Sequence, residues 1–175
     1  MEELRDARGL TEAEAIARYR SRNYPKPALT ADILVFTRGD GQLRLLLIRR
    51  GGHPFLGRLA LPGGFANENE SIEATAAREL FEETGVEGLD LTLVGVFSAP
   101  GRDPRGWVVS AAYMSVVDAD RLRIHAGDDA ADAQWYTLTQ EADRIILRRG
   151  AEVLTADDLA FDHGAILRAA LSMLR

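Results

Sequence analysis

Branched apolar residues run almost without interruption through residues 30–37 and again through 43–49, and Gly39, Asp40 and Gly41 separate the two runs. Such runs, divided by a short glycine-bearing turn, predict a hairpin of two core strands. Further strand-like runs lie at residues 59–61, 89–97 and 107–117, with a short one at 134–137. A different period governs residues 11–22, where Thr11 and Glu14 make a capping-box pair ahead of a helix that Asn23, Pro25 and Pro27 end. Helical spacing also occupies residues 71–84, 139–149 and 162–175, and in the last of these Ile166, Leu167, Ala170, Leu171 and Leu174 form one apolar stripe. Strands cluster and helices intervene without strict alternation, which predicts an α+β class or mixed-sheet sandwich.

Composition narrows the picture. With 175 residues, 46% of them hydrophobic, the chain can bury one sizeable core, and no shift in composition marks a second. We divide it into an N-terminal helical extension, residues 1–29, and one main domain, residues 30–175. The 27 acidic and 21 basic residues leave a net charge of -6, which argues against a general nucleic-acid or anionic-membrane binder. A phosphate-bearing ligand would need local cations. There is no cysteine, so neither a disulfide framework nor a thiolate metal site is available and a reducing cytosol suits the chain. No apolar run of signal-peptide or membrane-spanning length occurs, and the expectation is a soluble, cytoplasmic protein.

The helix expected at residues 71–84 carries an unusual charge pattern. Projected at 3.6 residues per turn, Ala74, Ala77, Leu80, Phe81 and Thr84 fall on one side and Glu79, Glu82 and Glu83 on the other. Like charges three and four apart cost ~0.2–0.5 kcal/mol per pair in an isolated helix, and Arg78 alone cannot neutralise three carboxylates. A solvated acidic face is one reading. The residues just ahead favour another, because Pro62, Gly63 and Gly64 follow an apolar run and Glu70 adds a further carboxylate. Glycines let backbone carbonyls approach a ligand closely, and a hard divalent cation takes several carboxylate and carbonyl oxygens. Two unit charges 4 Å apart interact by ~4 kcal/mol at an effective dielectric of 20, so a divalent cation among these carboxylates outweighs the helix repulsion.

From Gly64 the chain has the form G-x5-E-x7-R-E-L-x-E-E-x-G-V. This resembles, with nothing missing, the signature box of the Nudix hydrolases, enzymes that cleave a nucleoside diphosphate linked to another moiety. The resemblance covers residues 64–86 directly, and the strand order around them is similar to the Nudix-type α/β/α sandwich with mixed sheet over most of the remaining chain. It implies Glu79, Glu82 and Glu83 as metal ligands and catalytic groups, with the Gly63 carbonyl as a further ligand. It also implies Arg78 as the residue that orients the carboxylates and Glu70 as a holder of the loop or the outer metal shell. Mg2+ is the implied ion, with Mn2+ able to take its place.

The box specifies the bond and not the substrate. Residues 98–113, SAPGRDPRGWVVSAAY, resemble the corresponding segment of ADP-ribose pyrophosphatases and of the Nudix domain in transcriptional regulators of NAD metabolism. Composition alone leaves this loop either a solvated hairpin or a phosphate clamp in which Arg102 and Arg105 make bidentate bonds. The resemblance favours the clamp, with Arg49 and Arg50 as added cations. HPFLGRLALPGGF and LAFDHGAIL look like the same branch. The implied activity is Mg2+-dependent hydrolysis of ADP-ribose to AMP and ribose 5-phosphate. The alternatives are another nucleotide (an oxidised nucleoside triphosphate, NADH, a dinucleoside polyphosphate) or an ADP-ribose sensor without turnover. Those regulators carry an extra C-terminal DNA-binding domain, and the roughly forty residues after Trp135 are too few for a Nudix helix plus a winged helix.

Other candidates carry weaker signals. In residues 127–135, Asp128, Asp129 and Asp132 are either an acidic turn or, as in related enzymes, the loop that supplies an extra catalytic carboxylate; we take Asp128 and Asp129 as that candidate. His53, His125 and His163 are too scattered for a metal site and are expected as structural or surface residues. Trp107, Tyr113, Phe36 and Tyr24 could stack on a base, though aromatics in strands are more often core. Residues 141–157 look inserted. Residues 1–29 are a candidate dimer interface, as N-terminal extensions are in similar enzymes, and the expected partner is a small nucleotide diphosphate, with neither nucleic acid nor membrane.

Overall fold

The computed structural model describes residues 3–118 and 133–174. Its centre is strand β1 (Ala28–Gly39), whose side chains alternate between two apolar layers. Ala31, Ile33 and Val35 join Ala76 and Leu80 on one face, while Leu34 and Phe36 join Ile166, Leu167 and Ala170 on the other. The period of two in a strand buried on both sides is what makes this possible. Helix α2 (Ile72–Thr84) covers the first face and helix α3 (His163–Met173) the second, giving the α/β/α sandwich.

The remaining strands are β2 (Gln42–Arg49), β3 (Leu59–Ala60), β4 (Gly63–Phe65), β5 (Thr92–Phe97), β6 (Val108–Asp118), β7 (Gln134–Glu141), β8 (Arg144–Arg149) and β9 (Glu152–Thr155). They run in the order β5-β6-β1-β2-β7-β8-β9, with β3 against β2 and β4 against β1. The sheet is mixed, since β6 pairs with β1 in parallel and the other pairings are antiparallel. Opposite β6, the edge of β1 is shared: its C-terminal end pairs with β2 and its N-terminal end with β4, Ala31 facing Gly64 and Asp32 facing Gly63. That division brings the glycines into the sheet beside α2.

Helix α1 (Glu12–Arg20) has the expected capping box between Thr11 and Glu14 and buries none of its residues. β1 begins at Ala28, two residues earlier than expected. The helix expected at residues 139–149 is instead the β7–β8 hairpin. Its turn places Ala142 at φ 52 with no glycine to signal it, and Ile145, Ile146 and Leu147 are buried through pairing with β7 and β9. Residues 141–157, which looked inserted, supply β8, β9 and a 3-10 turn (Ala156–Asp158) continuous with the sheet. None of the described helices is long and apolar enough to cross a membrane.

Candidate active site

Ser71 caps α2 by accepting the Ala74 N–H at 3.2 Å, and Gly85 ends it in the left-handed conformation at φ 70. The buried stripe differs from the projected one. Thr75, Ala76, Leu80 and Thr84 are buried, whereas Ala74 and Ala77 are exposed and Phe81 is 51% exposed. The cause lies in the neighbouring strand. Gly63 and Gly64 offer an edge without side chains, so the helix turns its Glu79 and Glu83 flank toward them and leaves Phe81 to solvent.

The approach is close. A Cβ at Gly64 would collide with the Glu79 carboxylate, and one at Gly63, where φ is 155, would collide with the Ala31 carbonyl. Gly63 N–H donates to Glu83 Oε2 at 2.8 Å. Burial, reinforced by Glu79, pushes the Glu83 carboxyl up to about 7 despite that bond. Arg78 lies at the centre of the acids, donating to Glu70 at 2.8 and 2.9 Å, Glu79 at 2.6 Å, Glu82 at 3.1 Å and the Phe65 carbonyl at 3.0 Å. Glu70 also accepts from Asn67 N–H and the Thr75 hydroxyl, and these bonds, Arg78 foremost, hold its carboxyl at about 2. Among the described residues no three carboxylates or imidazoles already surround a single cation position; Arg78 spans Glu79 and Glu82 instead. The donor set is nonetheless all hard oxygen and in excess of its one guanidinium, which fits a divalent cation.

The arginines divide sharply. Arg102 has a side chain only 4% exposed, donates to Asp162 at 2.9 and 2.6 Å and lies 3.5 Å from Asp32. Arg49 donates to the Gly57 carbonyl and Glu152, away from the box. Arg105 chelates Asp103 and lies between the rings of Phe65 and Phe161, at 4.6 and 5.3 Å. Arg50 lies over Phe161 at 4.8 Å. Burial and the like charge of Arg105 lower its pKa. Two guanidiniums thus share one ring beside the glycine strand, an arrangement that attracts an anion. Arg50, Arg102 and Arg105 line a cleft of about 60 Å³ with Gly63 and Gly64. That is far below the ~300 Å³ of a pocket for a whole ligand, so it admits a part of one. None of the box residues lines a larger groove, about 640 Å³, between residues 87–92 and 114–118.

Asp128, Asp129, Asp132 and His125 lie outside the described residues. Phe36 and Tyr113 are core, Trp107 is exposed, and Tyr24 stacks on Tyr19. His53 is exposed. His163 and Phe161 are brought to the cleft by the turn and first residue of α3, far along the chain from the box; the LAFDH segment was the only signal that could have found them.

A glycine strand set against a carboxylate helix within an α/β/α sandwich defines the class, and the NUDIX domain family matches residues 26–156. The chain belongs to the Nudix family. It is 36% identical over 147 residues to the ADP-ribose pyrophosphatase of Methanocaldococcus jannaschii, covering 84% of this chain and 75% of that protein. It is 32% identical over 166 residues to the ADPR responsive transcriptional repressor NtrR of Acinetobacter baylyi; this covers 94% of the chain but spans only 61% of the regulator. Among solved structures, the NUDIX domain of Shewanella oneidensis NrtR complexed with ADP ribose superposes with a TM-score of 0.72 at 32% identity, covering 95% of this chain and 100% of that one. A MutT/nudix family protein from Enterococcus faecalis gives 0.82 at 38% identity, covering 95% and 70%.

Proposed function

We propose that this chain is a Mg2+-dependent hydrolase that cleaves the diphosphate of ADP-ribose, water adding to one phosphorus to give AMP and ribose 5-phosphate. The observation that carries the reading is the placement of a carboxylate excess and the Arg50–Arg105 pair on either side of the Gly63–Gly64 strand. Similarity to an ADP-ribose pyrophosphatase and to a domain crystallised with ADP ribose supports the substrate. Glu79, Glu82, Glu83 and the Gly63 carbonyl would hold Mg2+, or Mn2+ in its place. When bound, the ion neutralises charge on the diphosphate and acidifies water. Arg78 keeps Glu79 and Glu82 oriented, while Arg50 and Arg105 bind phosphate oxygens. We assign phosphate binding to these two and not to Arg102, whose guanidinium is buried against Asp162 and Asp32, or to Arg49, which is held by Gly57, Tyr136 and Glu152 away from the box. Asp128 or Asp129 remains our assignment for the group that takes the proton from water. The reading includes a cytoplasmic location and pairing of two copies through residues 1–29.

A second reading, binding of ADP-ribose without turnover, draws on the 94% coverage by a transcriptional repressor. One experiment separates them. With Mg2+ present, kcat/KM is measured for ADP-ribose, NADH, a dinucleoside polyphosphate and 8-oxo-dGTP with product identification, beside calorimetric binding of ADP-ribose. The hydrolase reading requires ADP-ribose to be the best substrate; tight binding with no product supports the sensor, and another best substrate overturns the assignment.

A further inference from the structure

Asp32 lies in the middle of the central strand, on the face it shares with Leu34 and Phe36, and is only 7% exposed. An ionised carboxylate there is costly unless it is partnered, whereas a branched apolar residue would simply pack. Its partners are specific. Ser110 Oγ donates to Asp32 Oδ2 at 2.5 Å, Arg102 lies 3.5 Å away, and His163 Nε2 lies 3.5 Å from Oδ1. The other ring nitrogen of His163 accepts the Leu61 N–H at 2.9 Å. Nδ1 therefore carries no proton, and the ring hydrogen sits on Nε2 and faces Asp32.

Beside them, three consecutive residues are each held by a different element. Leu61 N–H is held by His163 from α3, the Pro62 carbonyl accepts from Ile33 N–H of β1 at 2.8 Å, and Gly63 N–H donates to Glu83 of α2. Asp32 stands opposite Gly63 in register, and a Cβ on that glycine would come within 2.9 Å of Asp32 Oδ1. The direction of the Gly63 carbonyl thus depends on elements from three parts of the chain. We propose that Asp32 and His163 are positioning residues for the cation site, a buried brace that sets the Gly63–Gly64 backbone against Glu79 and Glu83. The inference rests on the reading that those carboxylates and the Gly63 carbonyl hold a divalent cation. Attachment of α3 has an independent source, because Ile166, Leu167 and Ala170 anchor it in the core.

The test uses the full chain, with Mn2+ titrated calorimetrically in the absence of nucleotide and kcat and KM measured separately. His163→Leu removes both contacts and is expected to weaken Mn2+ binding and lower kcat by about tenfold or more while KM changes little. His163→Asn, whose amide oxygen can replace Nδ1 at Leu61, recovers most of both losses; His163→Gln, which cannot reach Leu61 in the same way, does not. If His163→Leu lowers only the melting temperature, leaving Mn2+ affinity and kcat intact, the brace is structural and the proposal is overturned. Should His163→Leu fail to fold, the Asn and Gln variants decide it, and equal Mn2+ affinity in both overturns the proposal. Absence of ADP-ribose turnover in the wild type, with Mn2+ affinity still dependent on His163, sinks the substrate assignment and supports the brace.

Discussion

Two charged clusters flank the Gly63–Gly64 strand, and they are built on opposite principles. In front, Glu70, Glu79 and Glu82 share one guanidinium, Arg78, with Glu83 beside them, and the Glu82 side chain is 55% exposed. Behind, Asp32 and Asp162 share Arg102, and Ser110 and His163 add directed partners away from water. The front keeps an excess of carboxylates, relieved in part by water at Glu82, and that excess leaves affinity for a cation. Charge in the interior must be matched, because an unpaired buried ion costs several kcal/mol. The same residue types therefore serve ligand binding in front and construction behind.

The sharpest way to break this contrast is Arg102→Ala. It removes the cation that Asp32 and Asp162 share in the rear cluster, leaving Asp32 with only Ser110 and His163, and we expect a loss of about 3 kcal/mol in denaturant unfolding. A variant with wild-type stability would mean that Arg102 is not structural.

Glu82→Gln in the front cluster should do the reverse. Activity is expected to fall about a hundredfold, ~2.7 kcal/mol of transition-state stabilisation, while the metal-free melting temperature stays equal or rises as repulsion is relieved. A large drop in metal-free stability would transfer Glu82 to the structural class.

The two glycines sharpen the contrast within one strand. The nearest atoms that Gly64→Ala meets are those of the Glu79 carboxylate, a side-chain end, so Mn2+ affinity should fall about tenfold with little change in melting temperature; Gly63→Ala meets the Ala31 backbone and should lower the melting temperature. Equal effects of the two on stability would contradict this division.

The smallest expected effect concerns Glu70. Its carboxyl is depressed from the ordinary 4.5 to about 2 in the folded state, chiefly by Arg78. Its contribution to stability is therefore fully present above pH 4.5 and is lost as pH falls toward 2. Melting temperatures of the wild type and Glu70→Gln should differ at pH 6 and converge only as the pH falls through about 2; a gap that does not shrink with acid would contradict the ion-pair origin.

How far these regions could be read from sequence differed for a physical reason. The front cluster is local. Its carboxylates lie within one helix and the loop before it, so helical period and short spacing placed Glu70, Arg78, Glu79, Glu82 and Glu83 together. Even there the period misassigned Phe81, because the glycine edge that attracts Glu79 and Glu83 belongs to another element. In the β7–β8 hairpin, Ala142 takes a positive φ without glycine, so local spacing suggested a helix where tertiary pairing imposes strands.

What depends on near neighbours was legible in the sequence: the capping box of α1, the helices α2 and α3, most of the strands, the mixed sandwich class and the acidic box. Which arginines stand beside the box and which are held by carboxylates elsewhere depends on contacts between distant segments. The tertiary structure also revealed that LAFDH, at the far end of the chain, ties Asp162 to Arg102 and His163 to Leu61. Arg102 and Arg105 lie three residues apart in one loop and have the same chemistry. What separates them is the distant partner each meets, Asp162 and the buried Asp32 for one and a ring shared with Arg50 for the other, and those partners come together only when the chain closes.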